Sequence, residues 1–346
     1  MLNRFFQYFS CIIYLLLVSL TACFKEDTML PPNPPAPGIK TAVIEMGPGY
    51  ADQFFYSLNT NSVLRQNTRY AYDLMFECGA DSFRIWLNTA KFMSVLKTSK
   101  KSLSTVTLQD TVGKDWRFEL GEFTDTSCAI GDWWKDVNAG MPLTDSAVYL
   151  LSLGRDDQGE PLGYVRLQIS NYTSVGYLIN WQPLGSATIY SLAIDKDAAR
   201  NYRYVSLSNG GSLINDIEPA KTEWDFCFTR YTYVFYEPYY LPYEVVGVLQ
   251  NSSRITAYVD STLNKPFDSV SIADMDFNKL HSHRDAVGYE WKVYSGIGTG
   301  GGTYSVKDNF CYFIRQEGNK FYKLRFRAFD KSGVNGYPTF EYGELK

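Results

Sequence analysis

The sequence predicts an all-β protein, built as two tandem β units that follow a signal peptide and a proline-rich tether. Aromatic residues are abundant, with 27 Tyr, 22 Phe and 7 Trp among 346 residues, and aromatic side chains favour strands. Apolar residues alternate along runs such as 228–235 and 321–329, which is typical of half-buried strands. Several sequence blocks also recur in the same order along the chain. Together these observations predict strands throughout and an internal duplication.

The recurring blocks define the two predicted units. Blocks 56–58, 72–76, 129–135 and 166–169 have counterparts, in the same order, at 205–207, 224–228, 286–292 and 323–326. The period is too long for a solenoid, whose repeats span roughly 20–50 residues. We therefore predict a divergent first β unit at 41–186 and a second β unit at 187–346.

The N-terminus has the pattern of an export signal. Arg4 gives a short positive region, and 11–20 (CIIYLLLVSL) is an apolar run. That run is too short to cross a bilayer, which takes roughly 20 residues, so it is typical of a signal-peptide core. It ends in Leu20-Thr21-Ala22-Cys23, which resembles the lipobox of bacterial lipoproteins. We therefore predict a signal peptide at 1–22 and lipidation of Cys23.

Residues 23–40 are predicted to connect the lipidated cysteine to the folded part. Lys25-Glu26-Asp27 resembles the surface-export signal of Bacteroidetes lipoproteins. Residues 31–37 (PPNPPAP) contain five prolines, and such segments are extended and semi-rigid. A lipid anchor of two or more acyl chains holds a protein stably on a membrane. The predicted location is the outer membrane, lipid-anchored, facing the cell exterior.

Charge and cysteine content exclude some classes of protein. The net charge is -4, whereas a nucleic-acid partner needs a basic surface, so we predict no nucleic acid partner. After Cys11 and Cys23 are set aside, no two of the remaining cysteines have CxxC spacing, which leaves a zinc knuckle unsupported. Cys227 and Cys311 lie in apolar strand runs. We expect four mostly free thiols at Cys78, Cys128, Cys227 and Cys311.

Three blocks of the second unit resemble the HmuY family of Bacteroidetes lipoproteins. They are 224–231 (WDFCFTRY), 286–296 (AVGYEWKVYSG) and 309–345, which begins NFCYFIRQEGNKFYKLRFRAFD. The resemblance covers the second unit and reaches the first more weakly, through the repeat. It implies an all-β lipoprotein that binds haem or a related porphyrin for iron or haem acquisition. It also implies haem as cofactor and a TonB-dependent outer-membrane receptor as partner.

The ligand set of that family is incomplete in this sequence. Family members that bind haem use His or Met side chains on the iron, and one of those histidines follows the strand that here ends in Ser295-Gly296. The alternative is a non-haem binding or docking lipoprotein that captures another ligand or contacts an outer-membrane receptor. His281 and His283 are the two histidines of the chain. Because they are two residues apart, at most one could ligate, with Met275 or another residue opposite.

Aromatic residues are the other binding candidates. The stretch 231–243 alternates Tyr and Phe along a predicted strand and ends in a Tyr- and Pro-rich loop. Either these rings pack in the core, or they form a wall for a flat ligand such as a porphyrin or a sugar. The predicted ligand-binding residues there are Tyr239, Tyr240 and Tyr243.

Enzyme and metal chemistry find little support in the sequence. There is no nucleophile-elbow motif. The stretch 274–278 (DMDFN) starts like a calcium loop, but Lys279 replaces the required glycine. We therefore predict a protein that is not an enzyme and has no firm metal site.

Overall fold

The computed structural model describes residues 37–124, 126–135, 143–296 and 302–346. Residues Pro37–Lys346 form one compact unit. The predicted signal peptide, Cys23, the export signal and most of the tether lie outside the described residues. None of the described helices is long and apolar enough to cross a membrane.

The structure is all-β, which confirms the predicted fold class. In chain order the strands are β1 Ile39–Val43, β2 Asp52–Ser57, β3 Ser62–Thr68, β4 Leu74–Glu77, β5 Ile85–Leu87, β6 Ser94–Lys97, β7 Arg117–Phe118, β8 Trp134–Lys135, β9 Leu143–Thr144, β10 Tyr149–Ser152, β11 Tyr164–Thr173, β12 Gly176–Pro183, β13 Tyr190–Asp195, β14 Tyr202–Ser206, β15 Ser212–Ile214, β16 Phe226–Phe235, β17 Leu241–Gln250, β18 Ile255–Asp260, β19 Lys292–Ser295, β20 Thr303–Val306, β21 Cys311–Gln316, β22 Lys320–Lys331 and β23 Val334–Glu344.

The helical segments of the described part are single 3-10 turns of three or four residues. They are Thr89–Lys91, Leu103–Thr105, Leu108–Thr111, Ser208–Gly210, Phe267–Ser269, Ile272–Asp274 and Phe277–Lys279. Several begin at a side-chain cap: at Thr107 and Ser271 the hydroxyl and the acid three residues later cap each other's backbone. These turns connect strands, and the turn Thr89–Lys91 is buried at all three of its residues.

Four antiparallel sheets carry the fold. Their strand orders are β1-β23-β22-β21-β18, β13-β12-β11-β10-β6-β7, β15-β14-β4-β5 and β17-β16-β2-β3. The hairpins β19-β20 and β8-β9 lie outside these sheets. The alternating runs predicted as strands are β16 and β22. Along β22, Leu324 and Phe326 face the core at 1% and 3% exposure, whereas Arg325 and Arg327 point outward.

The two halves of the chain share sheets. Strand β2 pairs with β16, through Phe54↔Phe228, and β4 pairs with β14, through Leu74↔Val205. Likewise β1 pairs with β23, and β12 pairs with β13. Strands from 41–186 therefore complete sheets of 187–346, and strands from 187–346 complete sheets of 41–186. The division into these two units as products of a duplication stays a prediction.

A buried aspartate in the second half binds the backbone of the first half. Asp225 donates its backbone N–H to Tyr56 O at 2.8 Å, and its Oδ2 accepts from Leu58 N at 2.8 Å. Its Oδ1 accepts from Arg254 Nε at 2.8 Å. Asp225 is fully buried, so each of these bonds lies in a medium where an unpaired polar group is costly.

The same arrangement occurs with the halves exchanged. Asp73 donates its backbone N–H to Val205 O at 2.8 Å, and its Oδ2 accepts from Leu207 N at 2.7 Å. Its Oδ1 forms an ion pair with Lys91, which is buried. The recurring blocks therefore form the same hydrogen bonds in both directions. Block 72–76 binds the backbone of 205–207, and block 224–228 binds the backbone of 56–58. The sequence repeat thus corresponds to a repeated hydrogen-bonding pattern.

Two large hydrophobic clusters lie under these sheets. One is centred on Trp86, Trp133, Trp181 and Trp224, and the other on Trp291 with Phe326 and Phe340. Each cluster takes residues from both halves of the chain. The four predicted thiols are free and buried, as expected, at Cys78, Cys128, Cys227 and Cys311. Burial raises the pKa of each.

A glycine in the loop after β10 fits a position that no side chain can occupy. Gly154 has φ +81°, and a Cβ placed on it would lie 1.7 Å from Lys91 O. We expect Gly154→Ala to destabilise the protein by about 3 kcal/mol or more, because left-handed strain of roughly 1–3 kcal/mol adds to the backbone displacement. The measurement is urea unfolding followed by tryptophan fluorescence.

The matched control is Gly159→Ala in the same loop. Gly159 has φ +86° with nothing within 4 Å of its Cβ position, so only the strain of about 1–2 kcal/mol applies. Equal losses from the two variants would contradict the steric argument.

Candidate functional site

An aromatic cavity with a volume of about 750 Å³ lies between the β16–β17 and β19–β20 strand pairs. Ligand sites of small molecules fall in this size range, roughly 300–1,000 Å³. Six aromatic rings line it: Tyr50, Phe235, Tyr243, Tyr289, Tyr294 and Tyr304. Its charged lining residues are Arg230, Glu244 and Lys292. Apolar walls with a few polar groups are the usual composition of a small-molecule site.

Two hairpins supply most of the walls. In β16 and β17, Phe235 lies opposite Leu241. In β19 and β20, Tyr294 lies opposite Tyr304, with ring centroids 5.1 Å apart. Because aromatic pairs across an antiparallel pair stabilise one another, these two rings are held as one wall. Residues 297–301, between β19 and β20, lie outside the described residues.

Tyr289 connects the wall on β16 to the rest of the cavity. Its ring lies 6.3 Å from Phe235 and 5.0 Å from Tyr233, each edge-on. Phe235 in turn meets Tyr243 edge-on at 6.3 Å. Edge-to-face contacts of this kind contribute beyond simple burial. The rings on this side therefore have fixed orientations and could present one face to a flat ligand.

Lys292 lies at the inner side of the cavity with 8% of its surface exposed. Its Nζ donates to Val246 O and, at 3.4 Å, to Tyr289 O. It also lies 4.4 Å from the centroid of the Trp291 ring, a favourable place for a cation. Burial lowers the pKa of this amine to about 7. The residue can therefore change its charge near neutral pH.

A carboxylate shared by two arginines forms the polar edge. Glu244 accepts from Arg230 Nη2 at 2.8 Å and from Arg69 Nη1 at 3.1 Å. Arg69 is almost fully buried and also pairs with Asp157 at 2.6 Å. The guanidinium of Arg230 is thus held at the rim of the cavity. Arg69 holds the other oxygen of the Glu244 carboxylate, Oε1.

The structure brings one of the predicted ligand-binding residues into this cavity. Tyr243 lines it. Tyr239 and Tyr240 lie on the turn between β16 and β17 with 64% and 54% of their surfaces exposed, outside the lining. Tyr240 meets Tyr236 edge-on at 6.0 Å, so this turn presents a small exposed aromatic cluster.

The predicted iron-binding candidates lie elsewhere. The rings of His281 and His283 are 4.8 Å apart, and the His281 backbone pairs with Ala257. Burial and the neighbouring His283 lower the pKa of His281. Met275 is buried in an apolar cluster with Phe267 and other residues. Neither the histidines nor Met275 line the aromatic cavity, and their role in binding stays a prediction.

Haem can be tested against the side chains that do line the cavity. None of the described lining residues is His or Met, so the ligands that the resemblance implies are absent from this wall. A tyrosine can serve as a haem ligand, but burial raises the pKa of Tyr50 to about 12 and also raises that of Tyr304. The lining therefore fits the porphyrin ring better than it fits the iron. The described residues contain no group of three or more acidic, His or Cys side chains arranged to hold a metal ion.

Sequence reasoning missed most of the cavity wall. Tyr50, Tyr289, Tyr294 and Tyr304 come from separate segments of the chain. One signal was available: alternation in 292–295 and 303–306 on either side of a glycine-rich stretch is typical of a hairpin. That pattern predicts a Tyr294–Tyr304 pair, but it does not say which sheet the hairpin faces.

Comparison with known proteins places the chain near one group of solved structures. No protein-family model and no curated protein sequence matches it. The chain is similar to HmuY-like proteins of Bacteroidetes. The apo HmuY analog of Tannerella forsythia is 9% identical, with 89% of this chain and 96% of that chain covered and a TM-score of 0.25. Apo PinO of Porphyromonas gingivitis is 11% identical, with 89% and 97% covered and a TM-score of 0.23. At these identities and TM-scores, the likeness carries no argument about the ligand.

Proposed function

We propose that this protein is a lipid-anchored binding protein that takes haem or a related porphyrin into the aromatic cavity for nutrient acquisition. The observation that carries the proposal is the cavity itself, with six aromatic rings and a volume of about 750 Å³. A porphyrin is flat, apolar on both faces and acidic at one edge. The protein carries out no reaction on its ligand in this proposal.

The charges of the cavity suit the acidic edge of a porphyrin. Lys292 and Arg230 are the basic lining residues. A carboxylate brought close to Lys292 favours the charged ammonium, so ligand binding would raise the pKa of this amine from about 7. The rings of Tyr294 and Tyr304, 5.1 Å apart, would contact the face of the macrocycle. Recognition would thus depend on the ring and its carboxylates.

The decisive experiment compares hemin with metal-free protoporphyrin IX. Purified mature protein should shift the Soret band of both at micromolar concentrations, with dissociation constants within about tenfold of each other. If hemin binds and the metal-free ring does not, iron ligation decides affinity and the ring-based proposal is wrong. If neither binds, the proposal that this protein binds a porphyrin is wrong.

Replacing a tyrosine of the cavity should weaken porphyrin binding. Tyr294 lines the cavity and is 51% exposed, so its removal should leave the fold intact. We expect Tyr294→Ala to weaken protoporphyrin IX binding roughly 3- to 10-fold, the loss of one stacked ring. The measurement is fluorescence quenching of the porphyrin.

The matched variant is Tyr240→Ala. Tyr240 is 54% exposed but lies outside the lining, and the sequence had predicted it as a ligand-binding residue. We expect no change in affinity. A loss with Tyr240→Ala and none with Tyr294→Ala would place the site on the turn instead.

Anchoring rests on the N-terminal sequence. The proposal includes lipidation of Cys23, an outer-membrane location facing the exterior and docking to a TonB-dependent receptor. Its support is the Leu20-Thr21-Ala22-Cys23 pattern and the following Lys25-Glu26-Asp27. Labelled palmitate should enter the wild-type protein and not Cys23→Ala, and protease added to whole cells should remove the folded part. Labelling of the Cys23→Ala protein would contradict the anchor assignment.

A second candidate function is a binding or docking lipoprotein without haem. Two observations favour it: the described cavity lining offers neither His nor Met, and the turn with Tyr236, Tyr239 and Tyr240 is an exposed aromatic surface. Co-purification of a membrane receptor, combined with absence of porphyrin binding, would support this function over the first.

A further inference from the structure

A second cavity, of about 220 Å³, opens beside the aromatic one and has a different character. Its acidic lining residues are Glu122, Asp285 and Glu290, and its basic lining residue is His283. Tyr289 lines both cavities. The surplus of acids gives this small space a negative charge at neutral pH.

The acids have little to neutralise them. Burial and the charge of Glu122 raise the pKa of Asp285 to about 6, and Glu290 acts in the same direction. His283 is the basic group that lowers it. Arg284, the next residue, is turned away: its guanidinium lies 4.4 Å from the centroid of the Phe123 ring and 5.5 Å from that of Tyr202. The described residues that line this cavity therefore carry more acidic than basic groups, and a bound cation would balance their charge.

An independent observation comes from a tyrosine hydroxyl in the same wall. Tyr231 is fully buried, and its hydroxyl has no hydrogen-bond partner in the described structure. The side chain lines the acidic cavity, and its electrostatic neighbours are Asp285, Tyr289, Tyr312 and Glu290. A buried hydroxyl without a partner costs free energy. A ligand donor in the cavity would satisfy it.

The wall that carries these groups is rigid. Gly288 exchanges both backbone hydrogen bonds with Val248, at 3.0 and 3.1 Å. Arg284 N donates to Glu122 O at 2.9 Å, which ties the loop of Glu122 to the segment of Asp285. At Gly288, with φ +62°, a Cβ would lie 2.8 Å from Asp285 O. The acids and the hydroxyl are thus positioned before any ligand arrives.

We infer that this cavity binds the primary ammonium group of an alkylamine. An ammonium has three donors in a compact head, and the cavity offers carboxylate oxygens of Asp285 and Glu122 and the hydroxyl oxygen of Tyr231 as acceptors. The rings of Tyr233, Phe310 and Tyr312 also line it, and they would contact the alkyl stem and the cation. The aromatic lining suits an organic cation with an apolar stem. Such an amine could come as a free diamine or as a lysine side chain of a peptide.

The experiment is isothermal titration of purified mature protein with cadaverine and, separately, with Nα-acetyl-lysine amide, at pH 7.5 and low salt. We expect saturable binding of at least one of them, and the tighter of the two identifies the source of the amine. 1-Pentanol, which has a similar stem and no charge, should not bind. The inference is overturned if neither amine binds at up to about 10 mM, corresponding to less than roughly 3 kcal/mol of affinity, or if calcium ions bind instead.

Two variants test the roles assigned to these groups. Asp285→Asn should weaken amine binding at least tenfold, because it removes a charge and keeps the shape. Tyr231→Phe should weaken amine binding roughly 2- to 10-fold, the loss of one hydrogen bond. Its free energy of unfolding in urea should equal or exceed that of the wild type. A merely structural tyrosine would lose stability and leave amine affinity unchanged, and that result would contradict the assignment.

The control variant is Asp216→Asn, an exposed acid paired with Arg65. It should leave amine binding unchanged. Porphyrin binding by Asp285→Asn should also remain, because Asp285 does not line the aromatic cavity. The amine site and the porphyrin site can therefore fail separately.

Discussion

Asp225→Ala should lower the free energy of unfolding by about 3–5 kcal/mol, because it leaves a buried cation without its partner. Asp225 is fully buried, and Oδ1 accepts from Arg254 Nε at 2.8 Å and from Gln316 Nε2 at 2.7 Å. Oδ2 accepts from Leu58 N at 2.8 Å. Alanine would remove the acceptor of all three donors. The same carboxylate also joins the two halves of the chain, so its loss weakens the fold at that junction.

Equilibrium unfolding in urea, followed by tryptophan fluorescence, measures this effect. The control is Asp216→Ala: Asp216 pairs with Arg65 at 2.7 Å, but its side chain is 83% exposed. Exposed pairs contribute about 0–1 kcal/mol. A loss at Asp225 as small as that at Asp216 would mean that water replaces the missing carboxylate, and that the junction is wetter than the structure indicates.

Glu119→Gln should flatten the pH dependence of stability. Glu119 is fully buried and accepts from Leu87 N and Ala129 N, each at 3.1 Å. Burial raises its pKa from 4.5 to about 8 in the folded protein. Between these two values the folded state holds a proton that the unfolded state has lost. The contribution of Glu119 to stability is therefore fully present below pH 4.5 and is lost as pH rises to about 8.

The expected loss from this one group is on the order of 4 kcal/mol between pH 5 and pH 8.5. Glutamine has no proton to lose, so the free energy of unfolding of the variant should change less with pH than that of the wild type. The measurement is urea unfolding of both proteins at pH 5, 7 and 8.5. The difference between the two profiles isolates Glu119 from other groups, such as Lys292, whose lowered pKa makes stability rise with pH above 7.

Glu160→Gln is the control for that experiment, because Glu160 is exposed. Its profile should follow the wild type at every pH. Parallel profiles for wild type and Glu119→Gln would show that Glu119 is solvated in the folded protein.

Local sequence patterns predicted the strands well and their partners poorly. The alternation in 321–329 and 228–235 became β22 and β16, because a period of two specifies which side chains face the core. It does not specify the neighbouring strand. The pairing of β2 with β16 joins Phe54 to Phe228, and no local signal encodes a contact over that distance in the chain.

Local sequence patterns were equally limited in predicting the residues of the candidate site. Tyr243 was accessible to prediction because it lies in an aromatic run beside a turn. Tyr50, Tyr289 and Tyr304 belong to segments that meet only after the sheets have formed. His281 and His283 were conspicuous in the sequence because histidine is rare here, yet rarity says nothing about where a ring will point. Physical proximity in the fold depends on long-range pairing.

The exchange of strands between the two halves has a consequence for how the chain acquires its structure. Strands β13 and β14 complete sheets of the first half, and β1 and β2 complete sheets of the second. Residues 37–186 alone therefore lack one of the two neighbouring strands of β4 and of β12. Most contacts that close either core are distant along the chain, and such high contact order slows folding. A nascent first half would therefore stay open and vulnerable to proteases and aggregation until the second half emerged. We expect the polypeptide to depend on a chaperone or a holding factor while it folds.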